Sequence, residues 1–404
     1  MIKILFVISN LSGGGAEHVA RKNIEIFLNN DNYKVAVITN DLHWGNNLNI
    51  KKYITKDFRL SNNKIEKIRD TLGVRDNYKI MSECLKEFNP NIIHIHDYIP
   101  FTHTLLKALK EHKSKHSCKV ILTHHTYNFV CTNDSLYDYN KNRICEKCIG
   151  KFDHTIICNK CTGKYSTSIA KYLQKKMVNK QLNDLIDVHI APSEFMKNVL
   201  LKRNNDLNIE VIYNPCLDKL NKNINGNKAD KIVFFGRVNI EKNIENFARI
   251  FSNNIFNKNL VIIGTGNSSE AIKKIIEKNY NENITFIHKF LNTEDLYNMI
   301  KDARYFVLPS IWYENSPVSI VEAINWGLIP ITSNIGGMKE LIEYFNYGHY
   351  FDPRDESSII NCIKNLDNHY NADSMKKENI QNKLKVFLVD NYKIKIEELY
   401  CSYC

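Results

Sequence analysis

No two aspartates in the chain stand two residues apart. The common carboxylate grip on a divalent ion that bridges phosphates is therefore missing, and any phosphate charge must be met by cationic side chains and helix starts. No apolar run approaches the roughly 20 residues that span a bilayer. The opening MIKILFVISN lacks a basic stretch followed by a long apolar one and runs straight into a glycine turn. It reads as a first strand and not as a secretion signal, which places the chain in the cytoplasm. Without a secretion signal, the 11 cysteines read as thiols or metal ligands and not as a disulfide framework. Low-complexity tracts and repeats of roughly 20 to 50 residues are absent too, which excludes solenoids and fibres.

What is present suits two globular domains. A chain of 404 residues exceeds one ordinary core, and 43% apolar with 25% charged residues is the usual soluble composition. Short apolar runs alternate with amphipathic stretches, the pattern of parallel strands joined by crossover helices. IKILFVI, YKVAVIT, NIIHIHD, KVILTHH and DVHIAPS read as strands of the first half; KIVFFGR, NLVIIGTG, NITFIHK, ARYFVLPS and LIPITSN read as strands of the second. VIYNPCLD, followed by the polar NKNINGNKAD, marks the boundary. The expected division is 1–215, including a cysteine-rich loop at 131–161, then 216–373, then a helical segment 374–404. The net charge of +11 sits wholly in the first half: residues 1–215 carry 32 Lys and Arg against 21 Asp and Glu, leaving 23 and 23 beyond. Such a surface suits nucleic acid, an anionic acceptor, an anionic membrane face, or plain solvation.

Three groups of residues carry chemistry. The first strand ends in Ser9-Asn10-Leu11-Ser12-Gly13-Gly14-Gly15, just before a helix. Glycines there let a backbone approach a ligand, and free N–H groups at a helix start suit a diphosphate. The spacing is not GxGxxG, which weakens a dinucleotide reading. In FFGRVNIEKN, Arg237 and Lys242 follow a strand at the carboxyl edge of a sheet, placed to neutralise a pyrophosphate. In WYENSPVSIVEAINWG, Glu314 lies in a loop and Glu322 in a helix that opens near Pro317. One carboxylate is placed for sugar hydroxyls and the other for a ribose, with the N–H groups around Val318 and Ser319 facing phosphates.

Taken in order, the GGGAE turn, GRVNIEKN, VIIGTG with Gly264, and the two glutamates followed by Gly336-Gly337 resemble the retaining glycosyltransferases of family 4 along nearly the whole chain. The resemblance implies a GT-B fold, two Rossmann-like domains facing each other across a cleft with the segment 374–404 packing back on the first, and transfer of a sugar from a nucleoside-diphosphate sugar with retention. It implies that Arg237 and Lys242 contact the diphosphate, Glu314 the transferred sugar and Glu322 the ribose, and that His125 matches the family's active-site histidine. Gly14, Gly15, Gly264, Pro317, Val318 and Ser319 complete the expected donor site. Catalysis then needs no cofactor, and the acceptor is a glycan or lipid-linked sugar of a bacterial surface polysaccharide, O-antigen or capsule, made at the inner face of the membrane. Asn315-Ser316-Pro317 stand where that family often has Gly, Phe or Ser, a difference that bears on which sugar is carried.

Histidines cluster at two strand ends. His94 reads as a satisfied core residue, whereas His96 and Asp97 lie nearer the edge and are acceptor-side candidates. Cys145-x2-Cys148 and Cys158-x2-Cys161 are spaced for a structural zinc, with reduced thiols the alternative. Lys171, Lys175, Lys176 and Lys180 beside Tyr165, Ile169, Tyr172, Leu173 and Met177 suit a helix on an anionic membrane or a helix lying on the sheet with its lysines in water. Two other functions stay open on these residues. A sugar-nucleotide epimerase would share fold and donor site; a zinc-stabilised RNA-binding protein would use the basic half but leave the glutamates and Arg237/Lys242 unexplained, and no nucleic-acid partner is expected.

Overall fold

A computed structural model describes residues 1–56, 63, 65, 76–97, 102–151, 155–161, 163, 165–221, 228–279, 282–366 and 377–403. The strands in chain order are β1 (Ile2–Val7), β2 (Tyr33–Thr39), β3 (Lys51–Ile54), β4 (Ile92–Ile95), β5 (Lys119–Thr123), β6 (Tyr137–Asp138), β7 (Arg143–Ile144), β8 (Val188–Ala191), β9 (Ile209–Val211), β10 (Ala229–Phe235), β11 (Asn259–Ile263), β12 (Ile284–Ile287), β13 (Ala303–Leu308), β14 (Ile329–Ser333) and β15 (His349–Phe351). The chain divides into two units, one of residues 1–135, 146–215 and 389–404, the other of residues 136–145 and 216–388.

Each unit holds one parallel sheet. The first runs β3-β2-β1-β4-β5-β8-β9 and the second β12-β11-β10-β13-β14-β15. Parallel strands need crossovers that cover both faces, so inner strands are continuous apolar runs. Ile4, Leu5, Phe6 and Val7 of β1 and Ile232, Val233 and Phe234 of β10 are all fully buried. Order reverses beside β1 in the first sheet and beside β10 in the second, and crevices open at the carboxyl ends of strands at such points. The polar edge strands β3 and β15 and the β6–β7 hairpin carry no apolar run and were not expected from the sequence.

Three expectations need correction. The hairpin Leu136–Cys145 leaves the expected cysteine-rich loop of the first domain and clusters with the second unit. The boundary expected at 373/374 lies outside the described residues, but the helix Lys377–Leu384 belongs to the second unit and only residues 389–404 belong to the first. The reason lies in packing: Leu384 and Phe387 are buried, and Phe387 stacks on Phe345 at 5.7 Å. The chain then turns, and Tyr392, Ile396 and Tyr400 of the helix Val389–Cys401 join the core of Ile4, Phe6, Ile24 and Phe27. Tyr400 stacks on Phe27 with ring centroids 4.8 Å apart.

The third concerns the stretch Lys164 to Lys180. It is helical over Tyr165–Leu185, while Lys164 and the Met177 side chain lie outside what is described. Lys175 is not on the solvent face: it is buried, donates to the Asn128 carbonyl and pairs with Asp134 at 3.5 Å. Asn179, one turn on, donates to the Phe129 carbonyl. The helix thereby pins the segment that follows His125, and Lys176, Lys180, Tyr165, Ile169 and Leu173 are among the residues it exposes.

The last helix is thus a structural member of the first unit. Ile396→Ala, a deletion in a fully buried site, should cost about 2–5 kcal/mol. Urea denaturation checks this; a loss under about 0.5 kcal/mol would show that the helix does not hold the unit together.

Candidate active site

The second unit assembles its site at the carboxyl ends of β10 and β13. β10 ends at Phe235, Gly236 has φ +139°, and Arg237 follows, exposed and with no ion-pair partner among the described residues. A short turn at Ile240–Lys242 brings Lys242 back, and the Ile311 amide donates to the Glu241 carbonyl at 3.0 Å, tying that turn to the segment after β13. Lys242 Nζ then meets Glu314 Oε1 at 2.6 Å, and the same oxygen accepts from Trp312 Nε1 at 2.7 Å and Ser310 Oγ at 2.8 Å. Burial pushes the Glu314 carboxyl up, but the Lys242 charge and these three donors outweigh it and hold the pKa below the usual value. Glu314 is therefore a buried anion whose Oε2 takes no partner among the described residues.

Two glycine pairs shape the backbone around these groups. A Cβ on Gly337 would stand 1.8 Å from the Asn315 carbonyl oxygen, and the Gly337 amide donates to the Glu314 carbonyl at 2.8 Å. A Cβ on Gly264 would stand 1.8 Å from the Gly236 carbonyl oxygen. Gly264 thus has a packing role next to Arg237 whatever else it touches. Pro317 caps the helix Val318–Asn325, whose first turn carries Val318 and Ser319. Glu322 lies on that helix, half-buried, with no hydrogen bond to Arg237, Lys242 or Glu314. Burial raises its pKa to about 7. A larger groove of about 670 Å³ runs along β15 and the helix Glu356–Lys364, but none of these site residues lines it.

In the first unit a cavity of about 140 Å³ opens at the carboxyl ends of β1, β4 and β5. Ser9, Asn10, Glu17, His96, Asp97, His125 and Asn128 line it. His96 Nδ1 lies 2.9 Å from His125 Nε2, and Ser9 Oγ donates to Asp97. Burial holds every imidazole here neutral, His125 down to about 4 and His96 well below the ordinary value. His94 is fully buried and bonded to Tyr400 and Thr123. The helix Gly15–Leu28 starts beside the cavity with Gly14 as its cap and no side-chain cap bond. A Cβ on Gly15 would meet nothing within 4 Å, and neither Gly14 nor Gly15 has a positive φ. The chain itself does not require glycine at these positions.

The cysteines stand apart from this chemistry. Cys145 belongs to the second unit and Cys148 and Cys161 to the first, and the Cys158 side chain lies outside the described residues. Among the described residues no three His, Cys, Asp or Glu side chains are grouped to hold a metal. Residues that sequence reasoning missed include Ser310 and Trp312, both within a few positions of Glu314, and Asn23, a polar residue in the apolar stripe of its helix.

Two parallel Rossmann-like sheets, each with polar groups at its reversal point, define the GT-B class of α/β proteins. Residues 14–216 match the family described as Glycosyltransferase Family 4, and residues 218–383 match Glycosyl transferases group 1. The chain belongs to glycosyltransferase family 4. It is 31% identical over 203 residues to the Escherichia coli UDP-Gal:alpha-D-GlcNAc-diphosphoundecaprenol alpha-1,3-galactosyltransferase, a match covering 46% of this chain and 50% of that one. It is 22% identical over 331 residues, 80% of this chain and 76% of the other, to an uncharacterized 42.6 kDa protein in the cps region of Klebsiella pneumoniae. The chain thus spans about half the length of the first of these relatives. Among solved structures it is similar to the lipopolysaccharide outer core galactosyltransferase WaaB, with TM-score 0.67, 18% identity and full coverage of both chains. It is also similar to Anabaena Alr3699/HepE in complex with UDP and glucose, with TM-score 0.67, 14% identity and full coverage of both chains. No helix among the described residues is long and apolar enough to cross a membrane.

The raised Glu322 pKa gives a pH-dependent stability. Burial favours the neutral acid, so its contribution is complete below about pH 4.5 and is lost as pH rises through about 7. Glu322→Gln should therefore be more stable than the parent at pH 8, on the order of 2–3 kcal/mol, and equal to it near pH 4. Denaturation at the two pH values measures this, and equal stability at pH 8 would refute it.

Proposed function

We propose that the chain transfers a sugar, with retention, from a nucleoside-diphosphate sugar held by the second unit to a glycan or lipid-linked acceptor held by the first, in bacterial surface polysaccharide synthesis. The observation that carries this reading is the buried Glu314 anion, fixed through Oε1 by Lys242, Ser310 and Trp312 with Oε2 left over. A carboxylate so anchored is a rigid acceptor for the hydroxyls of a sugar. Arg237, exposed and unpaired among the described residues, supplies charge for the diphosphate together with Lys242 and the Val318-Ser319 amides. Glu322, ionised when it accepts from ribose hydroxyls, holds the nucleoside. His125 meets the reacting sugar, and His96 and Asp97 meet the acceptor. The Escherichia coli relative, named for a UDP-Gal donor and a diphosphoundecaprenol-linked acceptor, supports the same classes of donor and acceptor here.

Arg237→Ala is the cleaner test of the donor site, because Lys242→Ala also strips a buried carboxylate of its counter-charge. Either should lower transfer by about 10²-fold or more, with Arg237→Ala folding normally. Transfer should persist in EDTA, since no paired aspartates grip a divalent ion. Gly15→Ala should fold like the parent, because its Cβ enters open space, and should lose donor or acceptor affinity if the ligand fills that space. Nucleotide-sugar transfer assays decide all three, and parental activity in Arg237→Ala would remove the donor assignment.

The exposed Tyr165, Ile169 and Leu173 beside Lys176 and Lys180 give the first unit an apolar, basic stripe for an anionic membrane surface. The protein should pellet with anionic vesicles at low salt, release as the Debye length falls from about 30 Å at 0.01 M to 3 Å at 1 M, and ignore neutral vesicles. Lys176→Gln with Lys180→Gln should weaken that binding and spare donor hydrolysis; unchanged sedimentation would make the stripe an ordinary solvated face.

A further inference from the structure

Two imidazoles of the first unit share one asparagine, and a third is bonded to one of them. The helix Gly15–Leu28 buries Val19, Ala20, Ile24 and Phe27, and Asn23 sits in the same stripe, fully buried. Its amide nitrogen stands 3.3 Å from His94 Nδ1 and 3.3 Å from His96 Nε2. An amide NH₂ only donates, so both ring nitrogens accept. Tyr400, whose hydroxyl lies 2.5 Å from His94 Nδ1, donates to that nitrogen as well.

A neutral imidazole carries one proton, and burial keeps these rings neutral. The proton of His94 is then on Nε2, which donates to Thr123 Oγ1 at 2.7 Å. The proton of His96 is on Nδ1, which donates to His125 Nε2 at 2.9 Å. His125 accepts at Nε2 and carries its own proton on Nδ1, a nitrogen with no partner among the described residues. The ring lines the cavity. We infer that Asn23 is a positioning residue that sets His125, through His96, as an N–H donor to an oxygen of the bound sugar and not as a base. Its consequence for catalysis rests on the role proposed for His125; the tautomer itself does not. In this form His125 cannot take the proton of an attacking hydroxyl.

The full-length protein labelled with ¹⁵N-histidine reports the tautomer directly in a long-range ¹H–¹⁵N correlation, with His125 assigned by the signal lost in His125→Gln. The expected result is a neutral His125 protonated at Nδ1. In Asn23→Asp the new carboxylate accepts from His96 Nε2, the relay reverses, and His125 is protonated at Nε2; kcat falls by about 10²-fold with donor KM unchanged. Asn23→Leu, which removes the donor without adding charge, gives a mixture of tautomers. A wild-type His125 protonated at Nε2, or a tautomer that neither Asn23 variant moves, overturns the inference. If the tautomer follows Asn23 but His125→Ala transfers sugar like the parent, the Asn23 relay stands and the reading of His125 as an active-site residue fails instead.

Discussion

A parallel strand can be followed by another only through a crossover, so every strand in each sheet ends at the same edge. That constraint gathers the chemistry of this chain. Ser9, Asp97 and His125 lie far apart in sequence, yet they follow β1, β4 and β5 and so meet at one cavity. Arg237, Lys242 and Glu314 follow β10 and β13, neighbours where the second sheet reverses order. Helices cover both faces of each sheet and keep the strands apolar, leaving the carboxyl edge as the place where polar side chains converge without disturbing a core.

The two units meet the cost of burying polar groups there in opposite ways. The second keeps a full charge, and the Glu314 carboxylate remains ionised because Lys242, Trp312 and Ser310 all serve one of its oxygens. The buried pair is weak evidence for stability, since desolvation consumes much of its attraction; its effect is to fix where a negative oxygen stands. The first unit instead buries neutral imidazoles, and His94 and His96 each use one nitrogen to donate and the other to accept. Proton positions there depend on neighbours, so a single amide decides how the whole group presents itself.

Much of the fold was legible in the sequence because strands buried on both faces must be unbroken apolar runs. β1, β2, β4, β5, β8, β10, β11, β13 and β14 could be read for that reason, whereas KKYI of β3 and HYF of β15 pair on one side only and tolerate polar residues. The division of the last segment was not legible. Lys377–Leu384 and Val389–Cys401 are both helical by composition, and only the docking of Tyr392, Ile396 and Tyr400 assigns the second of them to the first unit. At the site, Arg237, Lys242, Glu314 and Glu322 stood out as charges after strands. Lys175 misled, because a lysine among lysines looks solvated until its partners Asn128 and Asp134 are in place. Asn23 carried a usable signal, a polar side chain where the helical period demands an apolar one.

The glycines separate two kinds of information that motifs run together. Gly264 and Gly337 are demanded from within: a Cβ at either would overlap a carbonyl oxygen of its own unit. Their presence reports how tightly the loops around Arg237 and Glu314 are packed. Gly15 is under no such demand, since its φ is not positive and its missing Cβ faces open space. A residue with a better helix propensity would suit that position if the chain were the only thing to satisfy. Gly15 instead leaves open space at the start of a helix whose Ala16 and Glu17 line the polar cavity.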